Sequence, residues 1–415
     1  MVKIQNQHPD PVSAGLRNTA SMIENAALSF DQAHLHGVMA IYAHNDVGRR
    51  VTIAATGKTV TDFTRCSYLG LDNHPAIVTG ATDNTRQSKT VHWSCARTRL
   101  NFASLGDLEH ELSSLFKARI ITFTTVLAAN MSTMPLLASG HLTKGLKPLV
   151  VFDRLAHATL AYHKPVVAAE TQVETIAHND LQALETLCKN NPLVAYVCDG
   201  VYSMGGSAPL TELKDLQDKY GLVLYIDDAH GISIKGNLGQ GFARCAFPQL
   251  NDRTIVAASL GKGFGASGGM VMFGSAEHEL LYRRFAIAHA FSASLNTAAI
   301  GAALASCAIH RSPELHELQV RLRERMALFD RLLPTKAASQ ELPIRTVVIG
   351  DEMSAVNIAR LLMDQGYYVS AIFFPTVARG KAGLRVSLTA AHSHEEIQGL
   401  CDAITRIRHD MDMAH

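Results

Sequence analysis

Leu222-Val-Leu-Tyr-Ile-Asp-Asp-Ala-His-Gly231 is the stretch on which the fold turns. An apolar run, Leu222 to Ile226, leads without alternation into two carboxylates and a histidine. Such a run suits a strand buried on both faces, the mark of a parallel sheet covered by helices. At the carboxyl end of a parallel strand the chain emerges into the crevice where open α/β sheets hold ligands. Asp227 there suits chemistry, whereas Asp228 suits an ordinary helix N-cap.

Outward from this strand, similar short runs recur at Ile120–Phe123, Pro148–Phe152, Leu193–Cys198 and Thr254–Ser259. Helical spacing lies between them, for example over Asp180–Lys189 with Asp180 as N-cap. The expected class is α/β, with a mainly parallel central sheet flanked by helices. After about residue 296 the texture changes. One long helical segment (Thr297 to Leu333) precedes the strand Ile344–Ile349, a helix near Ser354–Gln365 and the strand Gly383–Leu388. A closing helix then opens on Ser393-His-Glu-Glu396, which matches a capping box. The spacing predicts an N-terminal arm over 1–60, a large domain over 61–295 and a smaller C-terminal α+β domain over 296–415. Within the arm an apolar helical stretch runs around Met22–Met39.

Composition bounds the function. Of 415 residues, 47% are hydrophobic and 18% charged, a globular profile, and the net charge of +1 exerts no general pull toward nucleic acid or membrane. The 7 cysteines are odd in number and include no C-x-x-C pair, which argues against disulfides and a zinc site and suits a reducing compartment. MVKIQNQHPDPVSAG carries no apolar core of a leader, and no apolar run is long enough to span a bilayer, so a cytoplasmic protein is expected.

The turn after Thr254–Ser259 reads Ala258-Ser-Leu-Gly-Lys-Gly-Phe-Gly-Ala-Ser-Gly-Gly269, one lysine among 5 glycines. A nucleotide phosphate loop needs Ser or Thr after the lysine, and Gly263 stands there instead. A plain glycine-rich loop remains open, but a lysine at a strand end among small neighbours also suits a Schiff base with a flat carbonyl ligand. Asp227, 35 residues earlier, is the residue type that keeps a pyridinium nitrogen protonated. Asp199-Gly-Val-Tyr-Ser-Met-Gly-Gly-Ser-Ala-Pro-Leu210 and Asp153-Arg-Leu-Ala-His-Ala-Thr159 also follow apolar strands. His157 could stack on a ring or be an ordinary structural histidine. Arg385 lies in an otherwise apolar or small strand, where its planar fork suits either a ligand carboxylate or an internal salt bridge.

In order, these stretches resemble the α-oxoamine synthases, a family of fold type I enzymes dependent on pyridoxal 5'-phosphate (PLP). Tyr68-Leu-Gly-Leu71 with His74-Pro75 is similar to the family's Y-L-G-L…H-P, and Asp153…His157-Ala-Thr159 to D-x-x-x-H-A-S. Asp199–Leu210 is similar to D-G-V-[FY]-S-M-x-G…A-P-L, Asp227-Asp-Ala-His230 to D-E-A-H, and Ser259-Leu-Gly-Lys262 to T-x-S-K. Pro375-Thr-Val377 and Gly383–His392 resemble P-T-V…L-R-x-S-L-x-A-x-H. The resemblance implies Lys262 as the Schiff-base lysine, Asp227 on the pyridine nitrogen and His157 stacked on the ring. It places His230 and Ser203 near the phenolic oxygen and Arg385 on the substrate carboxylate. The phosphate would be met by Ser259, by the helix start at Thr125, Val126 and Leu127, and by Ser292 of a second subunit across a shared site in a homodimer.

The implied activity joins an amino acid to an acyl thioester, carried by CoA or an acyl-carrier protein, with decarboxylation to an α-aminoketone. The Ala258-Ser-Leu form before the lysine resembles the branch that makes α-aminoketone autoinducers, with natural-product and sphingolipid-type synthases nearby. Departures are Thr125-Val-Leu for the usual S-G-[FY], His92–Arg99 for a glycine-rich stretch, Asn296-Thr297 for a double proline, and Gly261 and Gly263 flanking the lysine. These cluster where the acyl chain and thioester are expected and leave the acyl substrate open. An aminotransferase or lyase would use the same lysine, aspartate and arginine, and a non-catalytic partner subunit would be expected to lack them.

Overall fold

The computed structural model describes residues 19–338 and 340–413. The polar start of the arm, read above for a leader, lies outside the described residues. Strands β1 (Ala43–Asn45), β2 (Arg50–Ile53) and β3 (Thr59–Asp62) come first. The central group is β4 (Arg119–Phe123), β5 (Leu149–Asp153), β6 (Val173–Ile176), β7 (Val194–Asp199), β8 (Val223–Asp227), β9 (Thr254–Ser259) and β10 (Gly269–Phe273). The last are β11 (Ile344–Gly350), β12 (Tyr367–Tyr368), β13 (Ser370–Ile372) and β14 (Ala382–Ser387).

The central 7 strands form one sheet in the order β4-β10-β9-β8-β7-β5-β6, parallel from β9 to β6, with β10 antiparallel to both neighbours. Every residue of β5, β7, β8, β9 and β10 is buried. Their side chains alternate between two cores, as the strand period requires. Cys198, Leu224, Ile226, Val256 and Met272 enter one, while Val197, Val223, Tyr225, Ile255 and Phe273 enter the other. Helices over both faces close this sheet, which makes the class α/β.

A 3-stranded antiparallel sheet, β11-β14-β13, carries a third core with the helices Glu352–Asp364 and His394–Met413. The expected capping box forms: Ser393 N–H donates to Glu396 Oε2 at 2.8 Å and Glu396 N–H to Ser393 Oγ at 3.1 Å. The single helix expected from Thr297 to Leu333 is two, Thr297–His310 and Pro313–Leu332. Pro313 cannot continue a helix from its N-terminal side, but it suits a first helical turn, with Ser312 as cap.

Asp228 does cap a helix, though not the one beside it. Turns follow it, and its Oδ2 accepts the Ala243 N–H at 2.9 Å in the distant helix Gly241–Ala246, whose own N-cap Gln240 gives the helix no side-chain cap. Its Oδ1 is buried without a partner. Burial pushes the carboxyl up to about 8, against the pull of the Ala243 N–H and with the adjacent Asp227 charge adding to it.

Two tests follow from this packing. A folded-state value above the unfolded one means that the Asp228 contribution is fully present below about pH 4 and lost as pH rises through the folded value. The urea midpoint of the protein should therefore fall from mildly acid to alkaline pH, and Asp228→Asn should flatten that fall. Gly269 lets β10 pass beneath the helix Val126–Ala138, since a Cβ there would stand 2.5 Å from the Thr125 carbonyl carbon and the Val126 nitrogen. Gly269→Ala should cost about 1–3 kcal/mol in urea unfolding, because backbone rather than a flexible side chain must move.

Candidate active site

Neighbouring parallel strands end in polar residues: Asp153 on β5, Asp199 on β7, Asp227 on β8 and Ser259 on β9. Register sets Asp199 beside Asp227. Asp153 spends its oxygens on a loop clasp, accepting from Tyr196, Leu155 N–H and Asn179 N–H at 2.8, 2.7 and 2.8 Å. Asp199 Oδ1 accepts the His157 N–H at 3.0 Å. Burial, reinforced by the Asp227 charge, holds the Asp199 carboxyl well above the ordinary range.

Asp227 is fixed from both sides. Its Oδ1 accepts the Ala229 N–H at 3.0 Å, and its Oδ2 accepts Asn130 Nδ2 at 3.1 Å. Asn130 is held in turn, since its Oδ1 accepts the Tyr225 hydroxyl at 2.6 Å and its Nδ2 also meets Thr159 Oγ1 at 3.0 Å. The amide therefore faces the carboxylate with its nitrogen. The motifs quoted above do not include Asn130. Its signal was present, as the lone carboxamide in the apolar helix Val126–Ala138.

Lys262 follows β9 and points back across the cavity, its Nζ 2.6 Å from His230 Nε2. Burial lowers the Lys262 amine and Arg385 adds to this, while Asp227, Cys66 and Asp199 oppose it. Burial, then the Lys262, Arg385 and His157 charges, press His230 well below its ordinary value, so the ring is neutral. The His230 Nδ1 lies 2.6 Å from the Tyr68 hydroxyl, which burial keeps protonated. His157 Nδ1 takes the Thr159 hydroxyl at 2.8 Å, and burial lowers this ring as well.

These groups line one cavity of about 310 Å³, together with Thr125, Val126, Ser259, Gly261 and Gly268. Ser259 Oγ accepts the Gly261 N–H at 3.1 Å. Thr125 caps the helix Val126–Ala138 by accepting the Ala128 N–H, which leaves the Val126 and Leu127 N–H groups without helical acceptors. A lysine amine, a carboxylate opposite it, a neutral histidine and a helix start with open N–H groups make a donor set that fits PLP.

Four expected residues lie off this wall. Arg385 stands on β14, donating Nε to the Ser203 carbonyl at 2.8 Å, Nη1 to Ser387 Oγ at 3.0 Å and Nη2 to Cys66 Sγ at 3.6 Å. Among the described residues it has no carboxylate partner, so the internal salt bridge left open above does not form. Ser203 enters through its carbonyl. Leu127 is 46% exposed, and Ser292 is exposed beside Phe291. A larger crevice, about 660 Å³, lies elsewhere, and its Arg97 and Arg283 are both paired with Glu109.

The family model described as aminotransferase class I and II matches residues 75–404. An 8-amino-7-oxononanoate synthase of Marinomonas sp. is 30% identical over 353 residues, 84% of this chain and 85% of that one. One from Salmonella arizonae is 32% identical over 376 residues, covering 85% and 90%. Among solved structures, the serine palmitoyltransferase of Sphingomonas wittichii superposes with a TM-score of 0.83 at 20% identity, over 96% of this chain and 100% of that one. The 8-amino-7-oxononanoate synthase of Francisella tularensis does so with a TM-score of 0.69 at 21% identity, over 85% and 99%. The fold is thus the fold type I PLP transferase fold, and the chain belongs to the aminotransferase class I and II family and, within it, to the PLP-dependent α-oxoamine synthases.

Proposed function

We propose that this enzyme joins an amino acid to an acyl thioester, releasing the thiol and carbon dioxide and leaving an α-aminoketone. The observation that carries the reading is the joint lining of one cavity by Lys262 and Asp227, with Arg385 on β14 free of any carboxylate partner among the described residues. The relatives make a compound whose printed name has an amino carbon beside an oxo carbon, which supports the product class.

When bound, PLP supplies an electron sink for a carbanion at the α-carbon of the amino acid. Lys262 tethers the cofactor through Nζ and, once displaced by the incoming amine, takes the α-proton; its lowered basicity suits that work near neutral pH. Asp227 would hold a proton on the ring nitrogen, its carboxyl fixed in place by the Asn130 and Ala229 donors. His157 would cover one ring face, and His230, with Ser203, would bind the phenolic oxygen. Arg385 grips the α-carboxylate with its planar fork. Ser259, Thr125, Val126 and Leu127 hold the phosphate, joined by Ser292 from a second copy in a homodimer. The 83% exposure of Phe291 next to Ser292 supports a partner at that edge. The Ala258-Ser259-Leu260 stretch supports a signalling product of the autoinducer type.

The test is a visible spectrum of the purified protein with PLP, followed by thiol and carbon dioxide release across a panel of amino acids. Each amino acid is offered with acyl-CoA, with acyl-carrier protein and with neither. Release that needs both an amino acid and a thioester supports the reading; product formed without thioester overturns it in favour of an aminotransferase or lyase. Lys262→Ala should lose the borohydride-reducible attachment of PLP and all turnover. Arg385→Ala should raise KM for the amino acid roughly ten- to a hundredfold, as expected for a lost charge-assisted pair, with KM for the thioester little changed.

A further inference from the structure

Three side chains from separate parts of the chain meet in one line. Tyr68 precedes the short turn Leu71–Asn73, His230 follows β8, and Lys262 follows β9. Tyr68 Oη lies 2.6 Å from His230 Nδ1, and His230 Nε2 lies 2.6 Å from Lys262 Nζ. Tyr68 is 0% exposed and His230 5% exposed, so their contact is shielded from bulk water.

A neutral imidazole has one N–H and one lone pair, which allows two arrangements. In one, Tyr68 donates to Nδ1, and Nε2–H donates to the lone pair of an uncharged Lys262. In the other, Lys262 donates to Nε2 and Nδ1–H donates to the Tyr68 oxygen, so the phenol hydrogen must find another acceptor. The other side chains bearing on that oxygen are Cys66 and Arg385. A guanidinium accepts nothing, and the Cys66 sulfur accepts well only as a thiolate, a charge that burial opposes. The first arrangement leaves every group with a good partner.

We infer that Tyr68 is a positioning residue for Lys262: its hydroxyl donates to His230 Nδ1, which pins the imidazole proton on Nε2, aimed at the lysine amine. The inference rests on the reading of Lys262 as the PLP-bearing lysine. An amine whose lone pair receives a hydrogen bond is held uncharged, the form able to attack an aldehyde carbon and later to accept a proton. The charged and titratable groups facing Lys262 are Asp227 from β8, Asp199 from β7, His157 after β5, Arg385 from β14, and Cys66 beside Tyr68. Asp227, Asp199 and Cys66 favour the ammonium, while burial and Arg385 oppose it. Tyr68 adds its weight to the second group through His230.

The experiment follows PLP capture by the cofactor-free protein as a function of pH, read as growth of the visible band. Capture joins Lys262 Nζ to the PLP aldehyde carbon with loss of water, so its midpoint reports the amine. Tyr68→Phe frees the ring to offer its Nε2 lone pair to an ammonium, which raises the basicity of Lys262. The midpoint should move up by about one pH unit, and capture at neutral pH should slow about tenfold. In a His230→Leu background Tyr68→Phe should add no further shift. An unmoved midpoint, or an equal shift without His230, overturns the inference. Should Tyr68→Phe fail to fold, ¹⁵N-histidine NMR of the unaltered cofactor-free protein decides it. An unprotonated His230 Nδ1 supports the inference, and a protonated one overturns it. Lys262→Ala that keeps the same visible band would instead overturn the reading of Lys262 itself.

Discussion

A carboxylate buried at the end of a sealed strand is the constraint around which this molecule is arranged. Asp227 is 4% exposed, and a polar group so far from water needs partners held in place. The backbone turn at Ala229 supplies one and Asn130 the other. Asn130 can serve only because Tyr225, on the same strand as Asp227, holds its carbonyl. The sheet and the helix Val126–Ala138 are thus locked together through one amide. The second consequence falls on Asp199, whose carboxyl is held well above the ordinary range by burial and by Asp227 beside it.

The cavity is divided by sign. Asp227 and Asp199 line it from the strand ends and Lys262 brings the amine, with His157 and His230, both lowered by burial, on the same wall and Arg385 off it. A ligand with a basic ring nitrogen and a distal anion matches that division without any rearrangement of charges. Asp228 shows the cost of the same burial one residue along, where only one oxygen finds a donor and the proton stays on through neutral pH.

Much of this was legible in the residues. The strands expected at Ile120, Pro148, Leu193, Leu222 and Thr254 all form, because unbroken apolar runs have few other places to go. β6 and β10 were missed for opposite reasons. Val173–Ile176 is a partly exposed edge strand with polar members, and Gly269–Phe273 hides behind a glycine-rich turn. The lysine, the aspartate and the neighbouring histidine lie in short motifs and could be read directly. The Asn130–Asp227 bond, the Tyr68–His230 contact and the reach of Asp228 to Ala243 could not. Each joins residues far apart in sequence, and local pattern carries no distance across the fold.

Arg385 belongs to the 3-stranded sheet, whereas Asp227 ends a strand of the 7-stranded one and Lys262 sits in the turn that follows β9 of that sheet. The gap between the guanidinium and the lysine is therefore set by how two separately packed cores sit against each other, and by no single rigid element. That makes the pair a caliper. A molecule bonded at its amine to one jaw and at its carboxylate to the other reports the jaw opening directly, whereas a simple amine closes on one jaw alone. Length discrimination among small amino acids would then be stored in the packing between sheets, far from any atom that touches the substrate side chain.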